Sequence, residues 1–328
     1  SIDFNRTDLS LALAYLSTKA GELSGAGHPV DVVLIDPEGT LGKAPVTLKM
    51  NQAPWRDALR YTCDLAGAEW SWDNRVAVVG APGAAKRLAL QRTKIQSGPG
   101  NDLNLKRLNS ARIAKIEFKD TPLSDIAEYL SAVYQSREQN GGAGLPFNVI
   151  IKENSAKPVG NRRVTLTLHE ASLFDVLHYV TGLADCRFRV DARAVVIGES
   201  ADLAKTPGGP ARPAGPLFDR MMAKQLESIE IPAGATISEF VQVMQTLGGI
   251  NTLSLVPEAV ASSNLRLQGV TAWELLRYFN EVSGTAFRLD PNALVIAPDP
   301  SVKVLPRPPA DLAPPAVGVA PNGLKFDP

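Results

Sequence analysis

Hydrophobic residues along this chain follow either the two-residue spacing of a strand or the three-to-four-residue spacing of a helix. The change from the first spacing to the second recurs along the chain. Val164, Leu166 and Leu168 alternate with polar residues, which predicts a β-strand with one buried face. Apolar residues then recur at helical spacing, which predicts a helix of roughly 13 residues. Its apolar stripe consists of Leu173, Val176, Leu177 and Val180. Two short strands around a turn at Asp191 complete the segment.

This segment occurs three times. Residues 46–80, 164–198 and 263–297 form blocks of 35 residues that align position by position without a gap. The matching positions are Leu48, Leu166 and Leu265; Leu59, Leu177 and Leu276; Tyr61, Tyr179 and Tyr278; Trp70, Phe188 and Phe287; and Asp73, Asp191 and Asp290. The alignment therefore predicts a threefold repeat.

Helix boundaries in the three blocks have matching signals. Asp57, Asp175 and Glu274 lie early in each predicted helix, where an acidic group is stabilised by the positive end of the helix dipole. Gly67 and Gly284 suit the end of a helix. The acidic residues are thus explained by position, and we assign them no catalytic role.

A second shared segment precedes each block. Residues 1–16, 115–130 and 228–244 each predict a strand, a cap and a helix. The middle copy has the strongest helix start, since Thr121 suits the cap and Pro122 the first helical position. A further strand is predicted after each helix, at 30–35, 147–151 and 251–256. Each full repeat is therefore an α+β domain with the order strand, helix, strand, strand, helix, strand, strand.

The segments between the repeats differ in composition. We predict repeat 1 at residues 1–80, a basic linker at 81–112, repeat 2 at 113–198, a Pro/Gly-rich linker at 199–224, repeat 3 at 225–298 and a Pro-rich extended tail at 299–328. The basic linker has seven basic side chains and one acidic one, but no interleaved aromatic residues for base stacking. We interpret it as a solvated or partner-docking linker.

The repeated pattern resembles the secretin and TonB N-terminal short domain. The residues that carry this resemblance are IEFKDTPLSDIAEYLS, FNVII, VTLTLHEASLFDVLHYV and FRVDARAVVIG, all in repeat 2. Repeat 3 departs most, because IPAGATI replaces the T-P-L element. The resemblance implies a small domain of two helices and two short sheets. It also implies a periplasmic location in a bacterial cell envelope, where association with the outer membrane is one of the expected arrangements. It also implies binding to protein partners, often through sheet edges, or packing side by side into rings.

Composition and charge restrict the partners. The 328 residues include 34 basic and 34 acidic side chains, so the formal net charge is zero, which argues against whole-surface attraction to nucleic acid or to anionic lipid. No apolar run approaches the ~18 residues of a membrane helix, so we expect no transmembrane segment. No signal peptide is visible either, but Ser1 already lies in a strand-like pattern, so the start of the sequence identifies no compartment.

Candidate catalytic chemistry is sparse. Neither His28, His169 nor His178 has a second ligand at metal spacing. We place His178 on a solvated helix face, because Arg60 and Arg277 occupy its position in the other repeats, and His169 just past a strand. The stretch 39–43 has two residues too few between its glycines for a phosphate loop and precedes a strand. We therefore predict no catalytic, cofactor-binding or metal site and no cofactor.

The cysteines and aromatic residues have structural interpretations. Cys63 and Cys186 are interpreted as two small buried residues, with a disulfide between them left open. Trp70, Phe188 and Phe287 are expected to fill the core of each repeat. The three repeated tyrosines are expected to turn partly away from the core, either at a domain edge or on a shared contact surface.

These observations predict a non-enzymatic scaffold of the bacterial cell envelope. Its repeats would contact protein partners within or next to a secretin-type secretion or pilus machine, including further copies of the chain. A periplasmic sensory or adaptor module that binds one envelope partner is the alternative. An enzyme with an unrecognised site between domains is a third hypothesis, which predicts a deep polar pocket.

Overall fold

The computed structural model describes residues 2–24, 30–51, 54–93, 102–138, 148–153, 158–191, 193–203, 215–254, 256, 260–289, 293–298 and 325–327. The chain divides into two compact units. Unit 1 contains Ser1–Leu123 and Arg162–Val190, and unit 2 contains Ser124–Asn161 and Asp191–Pro328. The unit boundaries thus fall inside repeat 2 of the sequence.

The chain has the predicted α+β fold. Repeat 1 contains β1 (Ile2–Asp8), α1 (Leu9–Ser24), β2 (Val32–Ile35), β3 (Pro45–Met50), α2 (Trp55–Leu65), β4 (Glu69–Asp73) and β5 (Val76–Gly80). Two helices follow, α3 (Ala84–Thr93) and α4 (Asp102–Ser110). Repeat 2 contains β6 (Arg112–Pro122), α5 (Leu123–Glu138), β7 (Asn148–Ile151), β8 (Arg163–Ser172), α6 (Leu173–Leu183), β9 (Arg187–Val190) and β10 (Ala194–Gly198).

The remaining elements follow the same order. Two short helices come first, α7 (Ser200–Leu203) and α8 (Pro216–Ala223). Repeat 3 contains β11 (Gln225–Ile231), α9 (Ile237–Gly248), β12 (Thr252–Ser254), β13 (Leu265–Thr271), α10 (Ala272–Ser283), β14 (Thr285–Leu289) and β15 (Leu294–Pro298). One more strand, β16 (Lys325–Asp327), lies near the end of the chain. No helix of the described residues is long and apolar enough to cross a membrane.

Strand pairing follows one scheme in all three repeats. The first strand pairs antiparallel with the third, as β1–β3, β6–β8 and β11–β13. The second strand pairs parallel with the last, as β2–β5, β7–β10 and β12–β15. In repeats 1 and 3 the remaining strand is antiparallel to the last, as β4–β5 and β14–β15.

Repeats 1 and 2 also have the same bulge in the first strand. The β1–β3 register shifts between Phe4 and Thr7, and the β6–β8 register shifts between Phe118 and Thr121. Arg6 and Asp120 lie at the bulge with φ of 51° and 46°, a region that non-glycine residues seldom adopt. The Arg6 N–H donates to Thr47 Oγ1 and the Asp120 N–H to Thr165 Oγ1, at 3.1 and 3.0 Å. Equivalent threonines on the partner strand therefore hold both bulges.

Helix ends use the predicted residue types. Capping boxes close the starts of α6, α9 and α10, through Ser172 with Asp175, Thr236 with Glu239, and Thr271 with Glu274. Gly284 ends α10 in the left-handed conformation, which glycine adopts without steric cost. The start of α5 differs from the prediction: β6 continues through Pro122, and the helix begins at Leu123. The Thr121 hydroxyl donates to the Lys119 carbonyl instead, at 3.2 Å, because the bulge brings the two together.

Each unit has its own hydrophobic core. In unit 1 the apolar faces of α1 and α2 meet the sheet residues, with Leu13, Leu59 and Val79 buried. In unit 2 the rings of Phe240 and Phe279 stack at 3.8 Å and the core continues to Val196 of β10. Phe188 and Phe287 are buried as predicted, whereas Trp70 is half-buried.

The two predicted linkers contain helices. In residues 81–112, Leu88 of α3 and Leu108 of α4 are 2% and 1% exposed, so both helices are packed against the fold and the segment is not a solvated linker. In residues 199–224, Phe218 of α8 packs edge-on against Trp273 of α10, with ring centroids 5.1 Å apart. The apolar residues of α3 and α4 do not recur at a clear helical period, which is why the sequence pattern did not predict these helices. The predicted extended tail lies outside the described residues except for β16.

Candidate functional site

Successive repeats contact each other through the same pair of positions, once in each unit. In unit 1, the first contact joins repeat 1 to β8: the His169 N–H donates to Asp31 Oδ2 at 2.9 Å, and His169 Nδ1 lies 2.8 Å from Asp31 Oδ1. In unit 2, the second contact joins repeat 2 to β13: the Gln268 N–H donates to Asn148 Oδ1 at 2.9 Å. In both contacts a side-chain oxygen at the start of a strand accepts from the backbone of the following repeat.

The register of the sheets makes these positions equivalent. His169 and Gln268 align in the repeated blocks. Asp31 lies three residues before Leu34, and Asn148 lies three residues before Ile151. Leu34 pairs with Val79 and Ile151 with Ile197, which are also aligned positions. The two contacts are therefore one arrangement built twice.

A buried polar cluster strengthens the first contact. Arg92 of α3 lies between two carboxylates: its Nε is 2.9 Å from Asp73 Oδ1, and its Nη1 donates to Asp175 Oδ1 at 2.7 Å. His178 Nε2 is 3.1 Å from Asp73 Oδ2, and the Tyr179 hydroxyl donates to the Asp73 carbonyl at 2.9 Å. We call these five residues the Arg92 cluster. It connects the end of β4 in repeat 1 with α6 of repeat 2 through a helix that belongs to neither repeat.

Local structure positions Asp175 and the helix that carries Arg92. The capping box fixes Asp175, because the Ser172 hydroxyl donates to Asp175 Oδ2 at 2.6 Å and leaves Oδ1 for Arg92. Gly182 allows α3 to approach α6 closely, since a methyl group there would lie 2.2 Å from a methyl carbon of Leu88. The side chain of Arg92 is 22% exposed, and those of Asp73 and Asp175 are 7% and 10% exposed.

Arg92 keeps both carboxylates ionised in this buried position. Burial alone raises the pKa of Asp73, but the hydrogen bond with His178 and the charge of Arg92 outweigh it, so the pKa lies below its usual value. Burial likewise raises the pKa of Asp175, and the hydrogen bonds from Ser172 and Arg92 bring it below its usual value. Burial raises the pKa of Tyr179, which therefore stays a hydroxyl donor.

These pKa directions predict acid sensitivity. A carboxylate with a lowered folded-state pKa stabilises the fold fully above its unfolded pKa of about 4, and this contribution disappears as the pH falls through the folded pKa. We expect the free energy of unfolding, measured in urea, to fall between about pH 5 and pH 3, where Asp73 and Asp175 take up protons. Asp73→Asn removes one titrating group, so the decline should be shallower than in the wild type. An equally steep decline in this variant would contradict the assignment.

The second contact has different charged groups at the matching helix face. Arg193 Nη1 donates to the Gly269 carbonyl at 2.6 Å, and its Nε lies 3.5 Å from Glu274 Oε1. Lys152 Nζ lies 3.2 Å from Glu281 Oε1, with side chains 10% and 1% exposed. Glu274 aligns with Asp175, so the helix of the following repeat presents an acidic capping residue in both contacts.

Several interpretations of individual residues need correction. His178 was expected on a solvated face and is 2% exposed, because α6 contacts repeat 1 on the side where α2 meets solvent. His169 lies inside β8 and not past it. Tyr179 and Tyr278 are buried and not half-exposed at a domain edge, and the Tyr179 hydroxyl contacts repeat 1, whereas Tyr61 is 42% exposed. His28 lies outside the described residues.

The cysteine interpretation holds. Cys63 and Cys186 are both buried, and no disulfide joins them. Burial raises the pKa of the Cys63 thiol to about 12, so it is protonated and unreactive at neutral pH. Among the residues that the structure describes, no group of three or more His, Cys, Asp and Glu side chains could hold a metal ion.

Both contacts are non-covalent interfaces between repeats, in which buried ion pairs and hydrogen bonds to the backbone hold one repeat against the next. The sequence signal for these contacts is the composition of α6, which has Asp175 as its single charged residue, since a helix with so few charged residues has neighbours on most sides. The structure buries all its residues from Leu173 to Thr181. No family model, no curated protein and no solved structure matches this chain.

Proposed function

We propose that this protein is a non-enzymatic scaffold of the bacterial cell envelope. Its repeats contact protein partners within or next to a secretin-type secretion or pilus machine. Its resemblance to the secretin and TonB N-terminal short domain supports the envelope location. The pairing of β16 with the outer edge of β11 supports the binding mode.

The β11 edge accepts an extended segment. Residues 228–230 of β11 pair antiparallel with Lys325–Asp327, so β11 has β13 on one side and β16 on the other. A strand edge binds such a segment through backbone hydrogen bonds, and neighbouring side chains provide selectivity. This observation carries the proposal, because the other repeats have the corresponding strand.

The corresponding edges of repeats 1 and 2 are open among the described residues. β1 pairs with β3 and β6 with β8, each in a two-stranded sheet. The exposed face of β6 carries Lys115, Glu117 and Lys119, with ion-pair distances of 3.0 and 2.9 Å. Hydrogen bonds from Lys119 and Lys115 lower the pKa of Glu117 to about 2, so the face stays fully charged. Such charges disfavour pairing with an arbitrary strand. They favour a partner strand whose side chains carry complementary charges.

Photo-cross-linking in the producing bacterium tests this function. A photoreactive amino acid replaces Asn5, an exposed residue of β1, in the full chain. We expect a discrete cross-link in the envelope fraction to a component of a secretion or pilus machine or to a second copy of the chain. The matched control has the same amino acid at Arg87, an exposed residue of α3 that belongs to no strand.

Two results would contradict the scaffold. One is recovery of the chain in the cytoplasmic fraction, and the other is the same cross-linked products from positions 5 and 87. A cross-link to one envelope protein in a complex with a single copy of each chain would favour the adaptor instead.

A further inference from the structure

We propose that β16 competes with a partner strand for the β11 edge, so that the partner binds this edge only when β16 has left it. The inference rests on the proposed function, and it names the regulation of that binding site and the chemistry of the segment that fits it. A strand has two hydrogen-bonding edges, and those of β11 are taken by β13 and β16. A partner strand and β16 therefore exclude each other.

The pairing of β16 covers a short part of β11. Lys325–Asp327 pairs with residues 228–230, whereas β13 pairs with β11 along Gln225–Ile231. An element that is held by few backbone hydrogen bonds opens at a lower free energy than the core of a domain. Of the two neighbours of β11, β16 is therefore the one that leaves first.

The unit 2 core does not depend on β16. Leu226, Ile229 and Ile231 of β11 are buried, and they belong to one core cluster with side chains of β13, α9 and α10. When β16 leaves, β11 keeps these contacts and its pairing with β13. The edge can therefore change its occupant without unfolding of the repeat.

The covalent connection makes the pairing of β16 intramolecular. Residues 299–324 connect β15 to β16 within the same chain. The effective concentration of a connected segment does not change with the protein concentration. An external strand then binds with an apparent affinity that is reduced to the fraction of chains whose edge is open. Occupation of about nine edges in ten by β16 would weaken this affinity about 10-fold.

Charges beside the edge select the partner strand. Glu230 Oε1 accepts a hydrogen bond from Arg266 Nε at 2.9 Å, and Arg266 also forms an ion pair with Glu128. Two carboxylates thus share one guanidinium group, which leaves an excess of negative charge. The Glu230 side chain is 37% exposed, so a cation on a partner strand has access to it. We therefore infer an extended segment, antiparallel to β11, with a basic residue opposite Glu230, the register position of Lys325 in β16.

Two double variants of the full chain test the competition. Lys325→Pro with Phe326→Pro releases β16, because adjacent residues of a strand direct their N–H groups to opposite sides, so one of the two prolines removes a donor to β11. Ser228→Cys with Asp327→Cys locks β16 in place, because these residues are paired neighbours that a disulfide can join. The probe is a dye-labelled peptide with the sequence of residues 321–328, and fluorescence anisotropy measures its binding.

We expect the released variant to bind the peptide at least about 10-fold more tightly than the wild type, with an unchanged circular dichroism spectrum. The oxidised locked variant should not bind, and a reductant should restore wild-type binding to the same sample. In the released background, Glu230→Lys should weaken binding about 5-fold. Glu227→Lys is the matched control, because it makes the same charge change at an exposed residue of the opposite face, and it should bind like the released variant.

Several results would overturn the inference. They are a released variant that binds no more tightly than the wild type or not at all, peptide binding to the oxidised locked variant, and failure of the disulfide to form. The envelope cross-link from position 5 involves β1 and not β11. The competition and the proposed function can therefore fail separately: loss of the cross-link contradicts the function, and the peptide titrations decide the competition.

Discussion

Replacing Arg92 with alanine is expected to lower the free energy of unfolding by about 3–5 kcal/mol, because it leaves two buried carboxylates without their cation. Arg92 contacts Asp73 at 2.9 Å and Asp175 at 2.7 Å, and both side chains are at most 10% exposed. Urea unfolding followed by tryptophan fluorescence measures the loss. Three of the four tryptophans, Trp55, Trp70 and Trp72, lie in unit 1 with the Arg92 cluster.

The control lies on the same helix. Arg87 is exposed, so Arg87→Ala should change the free energy of unfolding by less than about 0.5 kcal/mol. Arg92→Lys keeps the charge but has no planar fork to bond both carboxylates, and it should fall between the two. A loss below about 1 kcal/mol for Arg92→Ala would mean that the cluster is solvated and does not join the repeats.

Replacing Lys152 with alanine is expected to have a comparable effect in unit 2. Glu281 is 1% exposed, and its Oε1 lies 3.2 Å from Lys152 Nζ. Removal of the cation should cost about 3–5 kcal/mol, and hydrogen exchange of the α10 amides should accelerate accordingly. Mass spectrometry of peptides from α10 measures this locally, which separates it from changes in unit 1.

A second substitution tests whether charge is the cause. Glu281→Gln in the background of Lys152→Ala removes both charges, so it should recover most of the lost protection. Lys224→Ala is the control, because Lys224 is exposed at the end of α8. No recovery in the double variant would show that Lys152 acts through the packing of its aliphatic chain.

Much of the fold could be predicted from the sequence because its signals are local. The apolar stripe from Leu173 to Val180 predicts α6, and the acidic residue in the first turn indicates where the helix begins. The alternation at Val164, Leu166 and Leu168 predicts β8, and all three side chains are buried. The repeat strengthened the strand predictions, because three weak strand patterns at matching positions support one another.

The contacts could not be predicted, because they join residues far apart in the sequence. Arg92 bonds Asp175 over 83 positions, and its own segment has the composition of a linker. His178 was misplaced by comparison with Arg60 and Arg277, which assumes that equal positions have equal surroundings. That assumption fails here, because His178 of α6 contacts Asp73 of repeat 1, whereas Arg60 at the matching position of α2 is exposed.

The interleaved boundaries of the two units also determine when the chain can fold during synthesis. Repeat 1 leaves the ribosome first, but unit 1 is complete only after Arg162–Val190 has followed. Asp175 follows Arg92 by 83 positions, which a ribosome translates in about 4–17 seconds at about 5–20 residues per second. During that interval Asp73 is the only carboxylate of the Arg92 cluster that has been made, and the apolar side of α3 has no α6 to cover it.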